Sequence, residues 1–236
     1  QTREVEPFAR AAELTHCASL AHDDVIDRSA LRRGQPTLHS QVGETRAILS
    51  GDLLLAQMIL ELLAGNPSPR TVRLTRELAQ AIRDLSIGEW QETASRGRIP
   101  SSEAELRQIL ELKTGSLTRW CAAVAPTLLG APQEVINDCS QFGLNVGLAF
   151  QMVDDILDFE KGTGKPFAQD FHEGVVNTVS LEMIQTHGLQ SNFWESPLRA
   201  DWISMAQERV REKCSLLLSE AHAHLERALA TAQRAG

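Results

Sequence analysis

The 236-residue chain has no tyrosine, only four cysteines and no apolar run that approaches a membrane span. Its longest runs, such as Leu53-Leu54-Leu55-Ala56 and Leu216-Leu217-Leu218, fall far short of the ~20 residues needed to cross a bilayer. Nothing at the start reads as a signal peptide. Cys17, Cys121, Cys139 and Cys214 are too widely spaced for a CxxC motif and too few to staple a chain of this size, so all four are expected as reduced core residues of a cytoplasmic protein. Positive charge is also scarce: 23 Lys and Arg stand against 31 Asp and Glu, a net charge of -8, with no basic block. Nucleic-acid binding needs clustered cations and is excluded as a partner class. A diphosphate is not excluded, because a few placed cations or metal ions hold one.

What is present favours helices. Leu (31) and Ala (27) dominate, strand-like alternation is scarce, and Gly and Pro fall in spaced clusters that separate helical stretches. Helices are expected over about 5–27, 45–64, 70–95 and 198–232. Another starts at a capping box, Ser102 with Glu105, and is interrupted at Thr114-Gly115-Ser116. The clearest runs from Pro132 to about Glu160, with Val135, Cys139, Phe142, Val146, Phe150, Val153 and Leu157 expected as its core face. With 42% hydrophobic residues and no long internal linker, one all-α domain over residues 1–236 is the economical expectation.

Two pentads carry the chemistry: Asp23-Asp24-Val25-Ile26-Asp27 and Asp154-Asp155-Ile156-Leu157-Asp158. Each sets its first and last aspartate at i and i+4 on one helix face, with the middle one about 100° round the helix. Like charges at that spacing destabilise a bare helix, so six of them on two apolar-flanked helices call for a compensating cation. All-oxygen ligands favour Mg²⁺, which binds through one or two carboxylates plus substrate phosphates.

The surroundings are as distinctive. Glu13 to His22 leads into the first pentad, and Leu31-Arg32-Arg33-Gly34-Gln35-Pro36-Thr37-Leu38-His39 follows it; Gly51-Asp52-Leu53-Leu54-Leu55-Ala56, Lys113-Thr114-Gly115-Ser116-Leu117 and Phe150-Gln151-Met152-Val153 come later in order. From Glu13 to Thr178 this resembles the trans-polyprenyl diphosphate synthases, which extend an allylic diphosphate, such as farnesyl diphosphate, with isopentenyl diphosphate. The resemblance implies a helical bundle of the isoprenoid synthase type I fold around a central cavity, usually homodimeric. It also implies three Mg²⁺ ions held by Asp23, Asp24, Asp27, Asp154, Asp155 and Asp158. Departure of the leaving group creates an allylic cation and a diphosphate anion, so catalysis needs preorganised positive charge and a dry apolar chamber rather than a protein nucleophile.

By the same resemblance, Arg32, Lys113, Thr114 and Lys165 would hold the allylic diphosphate, Arg33 and His16 isopentenyl diphosphate, and Gln151 would support the site from the face of Asp154 and Asp158. Asp170 matches the lid segment after the second pentad, while His22 and His39 read as ordinary structural residues. Two departures stand out. The family's Gly-Gly-Lys-Arg segment upstream of the first pentad is absent and the chain begins at Gln1, so an upstream segment is expected to be missing; Val175 stands where many members carry Lys after Glu-Gly.

Product length in this family is set by side chains on the helix before the first pentad. Thr15, Ala18 and Ser19 are small, with Ala12 a turn further back, and Leu55, Met58, Ile59 and Leu62 are candidates for the opposite wall. One helical turn of ~5.4 Å matches roughly one isoprene unit, so a product of at least about six units, as in quinone side chains, is expected. A class I terpene cyclase is the alternative enzyme, but it would normally replace the second pentad with an Asn/Ser/Glu-type triad. A regulatory subunit of a heteromeric synthase would normally have degraded aspartate motifs.

Overall fold

A computed structural model describes residues 2–32, 34–162, 166–189 and 193–235. Helix α1 (Thr2–Ile26) buries Phe8, Ala11, Thr15, Ala18 and Ala21 at steps of three and four, mostly small side chains that let a neighbour approach closely. After it come a two-residue hairpin, β1 (Leu31–Arg32) antiparallel to β2 (Gln35–Pro36), and the short α2 (Leu38–Val42). Helix α3 (Glu44–Leu62) packs on α1 through Ala47, Gly51, Met58 and Leu62. Gly51 lies against the His22 imidazole, whose Nε2 is 3.0 Å from the Ile48 carbonyl, and a Cβ at Gly51 would force that ring to move.

The remaining helices are α4 (Pro69–Ala94), α5 (Glu103–Leu110), α6 (Ser116–Leu129), α7 (Gln133–Asp158), α8 (Gln169–His172), α9 (Thr178–His187) and α10 (Ala200–Ala235). Contacts divide the chain into two compact units: Gln1–Gln80 with Val124–Ala131, and Ala81–Ala123 with Pro132–Gly236. The second unit is built on α7 against α10, with α9 alongside, and its core includes Leu144, Leu148, Ile156, Val179, Met183, Phe193, Val210 and Leu217. Edge-to-face contacts of Phe159 with Phe167 and of Phe171 with Phe193 tie the segment after the second pentad to this core. No helix among the described residues is long and apolar enough to cross a membrane.

Three expectations need correction. The core face assigned to α7 holds only in its first half: Val135 is buried and Cys139, Phe142 and Val146 are half-buried, but Phe150 is 65% exposed and Val153 and Leu157 are also exposed, whereas Ile136, Leu144, Leu148, Ala149 and Ile156 are buried. A helix packed on more than one side hides residues all round, so its longest apolar stripe need not face the core. The break expected at Thr114-Gly115-Ser116 is instead a π-turn, Glu111–Gly115, that joins α5 to α6 without interrupting the helical path. Of the four free cysteines, only Cys214 is buried; Cys17 and Cys121 are exposed, since a small apolar side chain loses little by facing water.

The capping box holds with a modified partner. Ser102 Oγ accepts from the Glu105 N–H at 3.2 Å, but the Glu105 carboxylate reaches back to the Ser101 N–H at 2.8 Å and also binds Arg98, and these bonds hold its carboxyl well below the usual range.

Candidate active site

The first pentad closes α1. The helical bond from the Asp27 N–H to the Asp23 carbonyl, at 2.8 Å, keeps these two aspartates one turn apart, and Arg28 then leaves the helix with a left-handed φ of 51°. Asp23 and Asp27 are half-buried, while Asp24 is buried. The hairpin brings Arg32 back over the helix end, where its Nε donates to Asp24 Oδ1 at 2.8 Å. Arg32, expected on the diphosphate, therefore also anchors the middle aspartate. Arg33 and Lys165 lie outside the described residues. His16 is exposed on α1. Of the residues expected to limit product length, Ala18 is 0% exposed and Thr15 is buried with its hydroxyl donating to the Ala11 carbonyl at 2.8 Å; Ser19 keeps accessible surface, and its hydroxyl bonds within its own helix to His16 O at 2.9 Å.

The second pentad ends α7 and repeats the pattern. Asp154 is half-buried, and the middle residue, Asp155, is buried and fully engaged. Gln151 Nε2 donates to its Oδ1 at 3.0 Å, and the Thr178 N–H and hydroxyl donate to its Oδ2 at 2.9 and 2.7 Å. Asp155, expected as a metal ligand, thus has both oxygens occupied by protein donors. Gln151, expected beside Asp154 and Asp158, instead binds the middle aspartate one turn on, at i+4. Thr114 Oγ1 donates to Gln151 Oε1 at 2.9 Å, linking the π-turn to the pentad.

Asp158 differs again. Only 5% exposed, it accepts from the Gln169 N–H through Oδ1 at 3.0 Å, while its buried Oδ2 has no hydrogen-bond partner among the described residues. A buried, unsatisfied carboxylate oxygen is the donor a hard cation requires. No three His, Cys, Asp or Glu side chains among the described residues converge into a ready-made metal cluster.

Burial and then the charge of Asp170 push the Asp155 carboxyl up to about 7, and the same two causes raise Asp158. Asp170 is itself held by Asn177 Nδ2, which donates to its Oδ2 at 2.8 Å. A carboxyl that holds its proton more tightly folded than unfolded makes stability fall as pH rises from the ordinary carboxylate value toward its raised one. In chelating buffer the thermal midpoint is therefore expected to drop between about pH 5 and about pH 7, and Asp155→Asn should flatten that slope. A midpoint that rises across this window would contradict the burial of these charges; the lowered Glu105 contributes only below it.

Lys113, the middle residue of the π-turn, forms ion pairs with two glutamates of α4: Glu89 Oε2 at 2.8 Å and Glu92 Oε2. Burial pushes the Glu92 carboxyl up against the pull of Lys113. Sequence reasoning missed both glutamates and Thr178. The i, i+3 pair after Gly88 was a visible signal, whereas nothing local marks Thr178.

These features define the class: an all-α fold of the type I isoprenoid synthase kind, with a paired-aspartate motif at the end of each of two helices. The polyprenyl synthetase family matches residues 1–216, and the chain belongs to that family. It is 36% identical over 191 residues to the geranylgeranyl diphosphate synthase of Sulfolobus acidocaldarius, covering 76% of this chain and 58% of that protein. It is 38% identical over 174 residues to the all trans-polyprenyl-diphosphate synthase PDSS1 of Mus musculus, covering 71% of this chain and 41% of that one. The crystal structure of geranylgeranyl pyrophosphate synthetase from Pyrococcus horikoshii superposes with a TM-score of 0.84 at 27% identity, over 95% of this chain and 74% of that one. The chain thus spans less than two thirds of the length of the first two relatives.

Proposed function

We propose that this chain belongs to a trans-prenyl diphosphate synthase that joins an allylic diphosphate to isopentenyl diphosphate with Mg²⁺ and makes a product of at least about six isoprene units. The observation that carries the reading is the shared build of the two pentads. In each, protein donors lock the middle aspartate, while the first and last belong to one helix face. Asp23, Asp27, Asp154 and Asp158 are the carboxylates that would hold Mg²⁺, and the buried Asp158 Oδ2, with no hydrogen-bond partner among the described residues, is the oxygen best suited to a cation. Bound Mg²⁺ would supply the positive charge that stabilises the departing diphosphate.

The protein groups do the rest. Arg32, Lys113 and Thr114 bind and orient the allylic diphosphate, and His16 serves isopentenyl diphosphate. Arg33 would serve isopentenyl diphosphate and Lys165 the allylic diphosphate. The exposed apolar side chains of Phe150, Val153 and Leu157 lie on α7 around Asp154, so an anionic head and a hydrocarbon tail find complementary surfaces on adjoining positions of one helix. Leu53, 70% exposed, forms with Leu49 and Leu60 an apolar stripe along α3 that supports a homodimer, to be checked by sedimentation of the full-length protein.

The relatives' names span short and long products, so the length assignment rests on the small residues of α1, of which Ser19 keeps accessible surface while Thr15 and Ala18 are buried. The test is incubation of the full-length protein with Mg²⁺, farnesyl diphosphate and labelled isopentenyl diphosphate. Labelled linear chains support the proposal. An unlabelled cyclic hydrocarbon would favour a terpene cyclase, and activity only with a second subunit would favour a regulatory role.

A further inference from the structure

Lys113 is held in a way its proposed task does not by itself require. A lysine that met a diphosphate as a loose surface cation would need no partners, yet Glu89 and Glu92 grip this one from successive turns of α4, with only 9% and 18% of their side-chain surfaces exposed. The close approach is built into the backbone. A Cβ at Gly88 would lie 2.6 Å from the Lys113 nitrogen and 2.9 Å from its Cα, so only glycine lets α4 run this near the π-turn. The next residue, Thr114, is tied through Gln151 to Asp155 of the second pentad.

We infer that Glu89 and Glu92 form a carboxylate clamp that positions the Lys113 ammonium for the diphosphate. Both are positioning residues that act through Lys113, and the inference rests on the reaction proposed above for the identity of that ligand. The physical gain is entropic. A free lysine side chain loses many rotamers when it is held, and ordering it before the ligand arrives removes that loss from binding. Electrostatics alone works against the arrangement, since two carboxylates around one ammonium leave a net negative charge that repels an anion. Position and charge therefore predict opposite signs when a glutamate is truncated.

The test is calorimetric titration of the full-length protein with inorganic diphosphate in Mg²⁺. Glu92→Ala and Glu89→Ala are each expected to weaken binding about tenfold. Glu92→Gln, which keeps a carbonyl oxygen for Lys113 Nζ, should stay within about threefold of wild type. In a Lys113→Met background, Glu92→Ala should cause no further loss, because the clamp then has nothing to hold. Helicity by circular dichroism is measured for each variant, and if one alanine variant does not fold the other carries the comparison.

Tighter or unchanged binding in the alanine variants, an equal loss in the Lys113→Met background, or no diphosphate binding by the wild type would overturn the clamp. Wild-type protein that elongates normally with Glu92→Ala indistinguishable from it removes the clamp and leaves the reaction standing. Diphosphate binding with the expected pattern but no elongation removes the reaction and leaves the clamp.

Discussion

Replacing Asp154 with Asn in the full-length protein is expected to lower kcat about a thousandfold at saturating Mg²⁺ with little change in helicity. Charge stabilisation by a metal contributes several kcal/mol to a transition state, and about 1.4 kcal/mol is tenfold in rate. The neighbouring substitution is the informative control. Asp155 is one residue away and equally acidic, but its oxygens are taken by Gln151 and Thr178. Asp155→Asn should therefore cost no more than about 10–100-fold, the scale of a group that orients a ligand without touching it. It should also melt no lower at pH 7, because it removes a buried charge whose carboxyl is already pushed up to about 7. Equal losses of kcat in the two variants would refute the division of labour within the pentad.

Ser19→Phe is expected to shorten the prenyl product by at least about one isoprene unit, roughly the rise of one helical turn. Ser19 has accessible surface and makes only a hydrogen bond within its own helix, so a ring can replace it without breaking a tie to another element. Ala18→Phe is the poorer probe. Ala18 is fully buried, and a ring there would overpack the interior at about 1–3 kcal/mol, mixing a folding defect with any change in product. Mass spectrometry of the dephosphorylated products reads the result directly. An unchanged distribution in Ser19→Phe would remove the small residues of α1 as the determinant of length.

The elements easiest to read in the sequence were those with strong local signals. The Leu- and Ala-rich periodicity marks α1, α4, α7 and α10, Ser102 marks the start of α5, and the two pentads announce themselves by repeating. What stayed hidden depends on tertiary partners. Phe150 belongs to the most continuous apolar stripe of α7 yet is 65% exposed, because α10 and α9 take other faces of that helix. The π-turn lies within a helical path that no composition rule distinguishes from a break, and the pairing of Lys113 with Glu89 and Glu92 of α4 appears only in the folded chain. Thr178 holds Asp155 from 23 positions away, and only folding brings the two together.

If both aspartate pentads act through divalent cations on a diphosphate, the reaction must stop when the metal is removed. The most direct measurement is the rate at which the full-length protein incorporates labelled isopentenyl diphosphate as Mg²⁺ is stripped by a chelator and then restored. Incorporation is expected to vanish on chelation and to return with added Mg²⁺, and Asp23→Asn and Asp154→Asn are each expected to require more Mg²⁺ for half-maximal rate. Incorporation that persists undiminished in excess chelator would contradict that role of the pentads.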